Sequence, residues 1–180
     1  MIGMELRYGQ IEQALAEILG VPSLERTRAF RARLRHLRNI GIPELPKPGT
    51  GQSVAYSYEH ALELLVALRL ESIGTAPRFL APLAKSITNA YRHHQTTPMA
   101  REYGDLFILV YPAYSSPKDY AHLNPTNLQW AASSGPPFYS LFRGLGLMPK
   151  FEETAPDVFS RLNISSCARK LTTVLERVAA

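Results

Sequence analysis

The sequence has little of what many small folds depend on. Only one of its 180 residues is a cysteine, Cys167, which excludes an internal disulfide framework and a zinc site built from several thiolates. The longest aliphatic and aromatic run, Leu106–Tyr111, is far too short to span a bilayer. The N-terminus lacks the apolar region of a signal peptide. We therefore expect a soluble cytoplasmic protein with no membrane partner.

Sequence motifs of catalysis and nucleotide binding are also missing. The chain contains no G-x-x-x-x-G-K-[ST], G-x-G-x-x-G, G-x-S-x-G or H-E-x-x-H. Two adjacent histidines, His93 and His94, point apart on a helix, and the other three are scattered along the chain. We therefore expect no enzymatic activity, no cofactor and no bound metal. Aromatic side chains of the second half could line a ligand pocket, although a core or a dimer surface is their commoner use.

Acidic residues are few, and basic residues many, in one stretch of 35 residues in the first half of the chain. Between Pro22 and Tyr56 the chain has two acidic residues, Glu25 and Glu44, and seven basic ones: Arg26, Arg28, Arg31, Arg33, Arg35, Arg38 and Lys47. The excess of this stretch equals the net charge of +5 of the whole chain, so the remainder is formally neutral. Positive charge concentrated in this way indicates an anionic partner at one surface.

All six of these arginines fall on one predicted helix, Ser23–Ile40. Ser23 is a good N-cap, no Gly or Pro interrupts the interior, and Gly41 with Pro43 provides the stop. At about 100° per residue, one apolar stripe faces the core and the arginines border it on both sides. The stripe consists of Phe30, Leu34 and Leu37.

The arginines are better explained by a ligand than by solvent. Arg31 is three residues from Arg28 and four from Arg35, and like-charge neighbours of this kind destabilise a helix by roughly 0.2–0.5 kcal/mol a pair. Glu25 is the only acid available to offset them. Arginine forms bidentate hydrogen bonds with phosphate and guanine. These properties favour a nucleic-acid partner over the alternative, a solvated helix face.

The surroundings of this helix are typical of a DNA-binding motif. A first helix is predicted over Gln10–Leu19, and Gly20-Val21-Pro22 forms a tight corner into the second, which makes a helix-turn-helix candidate. After Gly41 a Pro- and Gly-rich stretch leads to the extended Ser53–Tyr56. This stretch is either a wing, whose tip at residues 47–52 would lie along a phosphate backbone, or a plain connector.

The chain changes character near the end of its first half. Helices are predicted over Tyr58–Ile73 and from Pro77 to about Tyr91, and the polar residues 93–98 are interpreted as a linker. We therefore predict two domains, residues 1–95 and residues 103–180.

The second half mixes strand and helix signals. Asp105–Tyr111 and Val158–Ile164 are strand candidates, while residues 114–137 have no clear period. A last helix is predicted over Ser166–Val178, with an apolar stripe along one side. A small α+β domain is the expected result.

Four short segments carry a family resemblance. They are Leu15–Val21, Arg35–Pro43, Tyr56–Leu62 and Leu68–Gly74. In this order and spacing they resemble the first helix, the end of the second helix, the wing exit and the third helix of MerR-like winged helix-turn-helix regulators. The resemblance covers about half of the chain, residues 8–90.

The resemblance and the residue patterns together predict a fold class and a function. The fold is a mainly α N-terminal winged helix-turn-helix domain followed by a small α+β C-terminal domain. The function is that of a transcriptional regulator that binds double-stranded DNA in a sequence-specific way. With the second helix in the major groove, the candidate base readers are Glu25, Arg26, Thr27 and Arg28. The candidate phosphate contacts are Arg31, Arg35, Arg38, Lys47 and Tyr56, of which the resemblance itself implies Arg35 and Tyr56.

This hypothesis predicts further partners. Two-fold pairing strengthens binding by a single DNA-binding module, so a homodimer associated with the nucleoid is expected. The C-terminal domain would dimerise, sense a ligand, or recruit RNA polymerase or another DNA-binding protein. Two alternatives stay open. One is a phage-type small terminase subunit for DNA packaging or an excisionase-like architectural protein. The other is an adaptor whose basic helix binds RNA polymerase or an acidic partner.

Overall fold

The structure is a computed structural model, and it describes residues 5–21, 24–45, 54–75, 77–96, 105–110, 129–130, 139–143 and 160–179. The described part is mainly helical, with one small antiparallel sheet. The helices are α1 (Tyr8–Ile18), α2 (Leu24–Asn39), α3 (Tyr58–Ser72), α4 (Pro77–Thr96) and α5 (Ile164–Ala179). The strands are β1 (Leu106–Val110), β2 (Gln129–Trp130), β3 (Tyr139–Arg143) and β4 (Ser160–Asn163).

Glycines end the first two helices where the sequence predicts. Gly20 and Gly41 have φ angles of +63° and +84°, in the left-handed region that glycine adopts without strain. The next amide then turns back to the helix: Val21 N donates to the carbonyl of Ala16, and Ile42 N to that of Leu37, each at 2.9 Å. This is the Schellman arrangement, and it fixes the backbone at the C-terminal ends of α1 and α2. The predicted N-cap Ser23 lies outside the described residues.

α3 is the central helix of the fold. Ser57 caps it as predicted: its Oγ accepts a hydrogen bond from His60 N, and Ser57 N donates to His60 Nδ1. Most of its residues from Ala61 to Leu70 are apolar and packed in the core. The buried ones are Ala61, Leu62, Leu64, Leu65, Val66, Ala67, Leu68 and Leu70. The other helices pack around this one.

α4 is longer than the sequence pattern suggests. It begins at Pro77, where the missing N–H costs nothing, and continues through Pro82 to Thr96. The interpretation of residues 93–98 as a linker is therefore wrong for residues 93–96. The reason is that His94 lies seven residues after the buried Ile87 and so continues the inward stripe. Its side chain is 1% exposed.

The sheet has the strand order β2-β3-β1-β4, with all pairs antiparallel. β1 and β4 confirm the predicted strands at 105–111 and 158–164. Ile108 of β1 is opposite Leu141 of β3 and Leu162 of β4. β2 and β3 were not predicted from the sequence. A two-residue strand such as β2 exists through pairing with its neighbour and leaves no local pattern.

α5 belongs to the same hydrophobic core as the N-terminal helices. Its residues Leu171 and Leu175 are buried in one cluster with Ile11 of α1 and Leu65 of α3. A hydrogen bond accompanies this packing: Tyr58 Oη donates to a backbone carbonyl oxygen of α5 at 3.1 Å. The division into domains 1–95 and 103–180 stays a prediction, but the last helix of the second half packs directly on the first half.

Candidate nucleic-acid interface

α2 separates its apolar and basic residues cleanly. Phe30, Leu34 and Leu37 are buried against the core, with exposed fractions of 7%, 0% and 0%, which confirms the predicted stripe. All six arginines of the helix are exposed: Arg26, Arg28, Arg31, Arg33, Arg35 and Arg38. The packing of one face therefore presents the basic residues to solvent.

Among the described residues, Arg31 and Arg33 form ion pairs with neighbouring helices. Arg31 Nε donates to a carboxylate oxygen of Glu12 on α1 at 2.5 Å, and Arg33 Nε donates to Glu71 on α3 at 2.6 Å. Glu25 is the only acid within α2, but the conclusion that it alone offsets the arginines is wrong. The glutamates that offset the arginines lie on α1 and α3, and the sequence of α2 alone does not reveal them.

Arg38 lies on a cluster of aromatic rings. Its Cζ is 5.0 Å from the ring centroid of Tyr8 and 6.0 Å from that of Tyr56. The two tyrosine rings are 6.1 Å apart, and His60 meets Tyr56 edge-on at 6.3 Å. Stacking of this kind attracts a guanidinium by about 0.5–1 kcal/mol at an exposed site. The guanidinium is thus held in place at the C-terminal end of α2 without a carboxylate.

The chain around this cluster is fixed by backbone pairing. Leu6 N donates to the carbonyl of Tyr56 at 2.8 Å, and Tyr56 N donates back to Leu6 at 3.0 Å. Burial raises the pKa of both Tyr8 and Tyr56, and the charge of Arg38 opposes that rise in part. Both hydroxyls are buried and, within the described residues, have no hydrogen-bond partner of normal geometry.

Arg28 and Arg35 have a different environment. No carboxylate in the described part of the chain forms an ion pair with either. Arg35 Nε lies 3.4 Å from the carbonyl oxygen of Arg31, one turn earlier in its own helix. These two guanidinium groups are exposed and keep their capacity for an anionic partner.

The predicted site residues are thus only partly brought together. Arg26 is exposed at the N-terminal end of α2, and Thr27 is half-buried beside it. Tyr56 is 2% exposed and presents no hydroxyl at the surface. Lys47 and the side chain of Glu25 lie outside the described residues.

The sequence reasoning missed the residues that position the arginines. Tyr8, Glu12 and Glu71 are far from α2 along the chain, and no spacing rule connects them to it. One signal was available for Tyr8, since an aromatic residue at the start of the first helix faces the same side as the buried Ile11 and Leu15. No local sequence pattern identifies which side chain each of these residues contacts.

Comparisons with known proteins add no assignment: no family model matches this chain, and no curated protein matches it. No helix in the described residues is long and apolar enough to cross a membrane. Within the same residues, no three His, Cys, Asp or Glu side chains are grouped so that they could hold a metal ion.

Proposed function

We propose that this protein is a sequence-specific DNA-binding transcriptional regulator of the MerR-like winged helix-turn-helix type. The observation that carries the proposal is the surface of α2. It is the second helix of the chain, its apolar stripe is buried, and its six arginines are exposed. A second helix with these properties is the element that enters the major groove in helix-turn-helix proteins.

The surroundings of the arginines support a division of roles. Arg28 stands with Arg26, Thr27 and Glu25 at the N-terminal end of α2, from which base edges are read. Arg35, without a carboxylate partner, is suited to a phosphate. Arg31 is paired with Glu12 and therefore contributes less to the affinity for DNA.

Arg38 is a phosphate-binding residue in this proposal, and Tyr56 has a supporting role. Tyr56 is buried beneath the Arg38 guanidinium together with Tyr8, so it orients the cation and makes no contact with the backbone of DNA itself. A guanidinium held by stacking loses less side-chain entropy when it binds a phosphate oxygen.

Binding as a homodimer, in which the second half supplies the contact between protomers, would give the two-fold symmetry that such modules use. Selection of bound fragments from genomic DNA identifies the target site, and a palindromic site is the expected result. A single asymmetric site would contradict the symmetric dimer.

The direct test compares two single variants of α2 on that site. Arg28→Gln should weaken discrimination against mutated sites by about 1–3 kcal/mol, because a bidentate guanine contact is lost. Arg33→Gln is the matched control, since it removes the same charge from the same helix at a side chain that is paired with Glu71. Fluorescence anisotropy at fixed salt measures both.

Two outcomes would overturn the proposal. One is a chain that binds no duplex at low salt but forms a complex with RNA polymerase or another acidic protein, which is the adaptor alternative. The other is an affinity for DNA that is unchanged when Arg28, Arg31 and Arg35 are replaced together.

A further inference from the structure

Charge is segregated by helix in this fold. α2 and α4 together contain nine Lys and Arg residues and one acid, whereas α1 and α3 contain one arginine and five glutamates. α2 is the proposed recognition helix. α4 has three cations and no Asp or Glu over its 20 residues, and the proposed function does not account for them.

The cations of α4 lie along one exposed face. Steps of four and three residues connect a set of exposed side chains, which we name the α4 stripe: Arg78, Pro82, Lys85, Asn89, Arg92 and Thr96. Consecutive cations are seven residues apart, which is about 10 Å along the helix axis, so the row of three covers about 21 Å. The opposite face of α4 is buried and mainly apolar.

The positive charge of the α4 stripe is only weakly compensated. Lys85 Nζ donates to the carboxylate of Glu44 at 2.5 Å, in a pair whose side chains are 58% and 77% exposed. Arg92 donates to an asparagine of its own helix, and Arg78 lies 4.7 Å from the ring centroid of Phe79. Neither arginine forms an ion pair within the described ranges.

Two features favour a nucleic-acid backbone over a protein partner for this face. The α4 stripe has no exposed aromatic or large aliphatic side chain, and a protein interface needs such an anchor at its centre. The stripe also contacts the segment that follows the proposed recognition helix, because Lys85 is paired with Glu44, five residues after the end of α2.

We propose that the α4 stripe is a second, sequence-independent contact with the sugar-phosphate backbone of DNA, an inference that rests on the proposed function. Its three cations cover a length of about six base pairs at about 3.4 Å each. Asn89, which lies between two of them, donates its side-chain amide N–H to a phosphate oxygen. Contacts of this kind increase the affinity for every DNA sequence equally. They do not discriminate between sequences.

The test measures the salt dependence of binding by the full chain. Arg78→Gln with Arg92→Gln removes the two cations of the α4 stripe that have no carboxylate partner. The control, Lys170→Gln with Arg177→Gln, removes two exposed cations from α5, of which Arg177 is paired with Glu17. Affinity for a duplex of about 30 base pairs is measured between 50 and 200 mM salt, with circular dichroism to check folding.

The stripe variant should reduce the slope of log K against log salt by about 1.8, since each lost phosphate contact removes about 0.9. Binding at 0.1 M salt should weaken at least roughly tenfold, equally for specific and random duplexes. Glu44→Gln should strengthen binding, because Lys85 then loses its competing carboxylate.

The result separates this inference from the proposed function. A wild-type slope for the stripe variant, while Arg28 and Arg35 variants lose affinity, overturns the second contact alone. An equal loss of slope in the α5 control also overturns it, because net charge would then explain the effect. A wild-type chain that binds no duplex at low salt overturns both proposals.

Discussion

Arginines of α2 that look equivalent in the sequence have three different environments. Arg31 and Arg33 are paired with glutamates, Arg38 is stacked on tyrosines, and Arg28 and Arg35 have no carboxylate partner in the described residues. The capacity of each to bind an anion therefore differs. A paired guanidinium has to leave or share its carboxylate before it neutralises a phosphate.

The pair between Arg31 and Glu12 leads to a prediction about binding. Glu12→Gln should strengthen DNA binding and steepen its salt dependence by about 0.9, because Arg31 then becomes available to one more phosphate. Glu17→Gln, which removes the same charge from the same helix but faces Arg177 of α5, should leave the slope nearly unchanged. Anisotropy titrations at several salt concentrations measure both, and equal slopes in the two variants would refute the idea.

Asp105 provides a prediction about acid stability. The Arg169 guanidinium, which donates two hydrogen bonds at 2.6 and 2.8 Å, lowers the pKa of Asp105 to about 2. The folded-state pKa lies below the ordinary 3.8, so the carboxylate stabilises the fold above about pH 4 and the gain is lost as pH falls toward 2.

Asp105→Asn should therefore lower the free energy of unfolding at pH 7 by about 1 kcal/mol, the upper value for a pair with an exposed arginine. It should also flatten the pH dependence between pH 4 and 2. Urea unfolding across this range measures the effect. Arg169→Gln should reproduce most of it, and a pH profile identical to wild type in both variants would show that the pair is unimportant.

At the scale of elements, helix ends follow local chemistry and were largely predictable. Gly20, Gly41 and Ser57 stop or start their helices where the sequence indicates. The C-terminal end of α4 was not predictable in this way, since the burial of His94 depends on what packs against that turn.

The start of α3 contains a pH-sensitive contact. His60 Nδ1 accepts a hydrogen bond from Ser57 N at 3.1 Å, which requires that nitrogen to be unprotonated. Burial lowers the pKa of His60, and nearby Glu59 opposes this in part. A lowered folded-state pKa means that the contribution to stability is present above pH 6.5 and is lost as pH falls below it.

His60→Gln should remove that pH dependence, because a glutamine oxygen accepts the same bond without titrating. Unfolding by urea between pH 5 and 8 gives the comparison. Ser57→Ala should lower stability by about 1 kcal/mol at every pH while it keeps the dependence on pH. A wild-type profile in the His60→Gln chain would contradict the assignment.

At the scale of the whole molecule, one core connects the two ends of the chain. Leu171 of α5 and Leu65 of α3 are both fully buried in the same cluster. Leu171→Ala should lower the free energy of unfolding by about 2–5 kcal/mol, as large-to-small changes in a core do, and should shift the single transition of the helices.

Leu65→Ala is the matched change in the first half and should shift the same transition. Thermal unfolding followed by circular dichroism records both variants. If residues 1–95 and 103–180 were independent domains, Leu171→Ala would leave the unfolding of α1 to α4 where it is in the wild-type chain.

The sequence by itself determined most of the helix ends, the buried stripe of α2 and the place of the net charge, because each depends on residues within a few turns of one another. Only the tertiary structure decided which arginines are paired, why Tyr56 is buried, and where α5 packs. Arg33 meets an acid 38 positions away, and Arg177 meets Glu17 across 160. Contacts of that separation are selected by the packing of whole helices, and packing leaves no periodic signal in the chain.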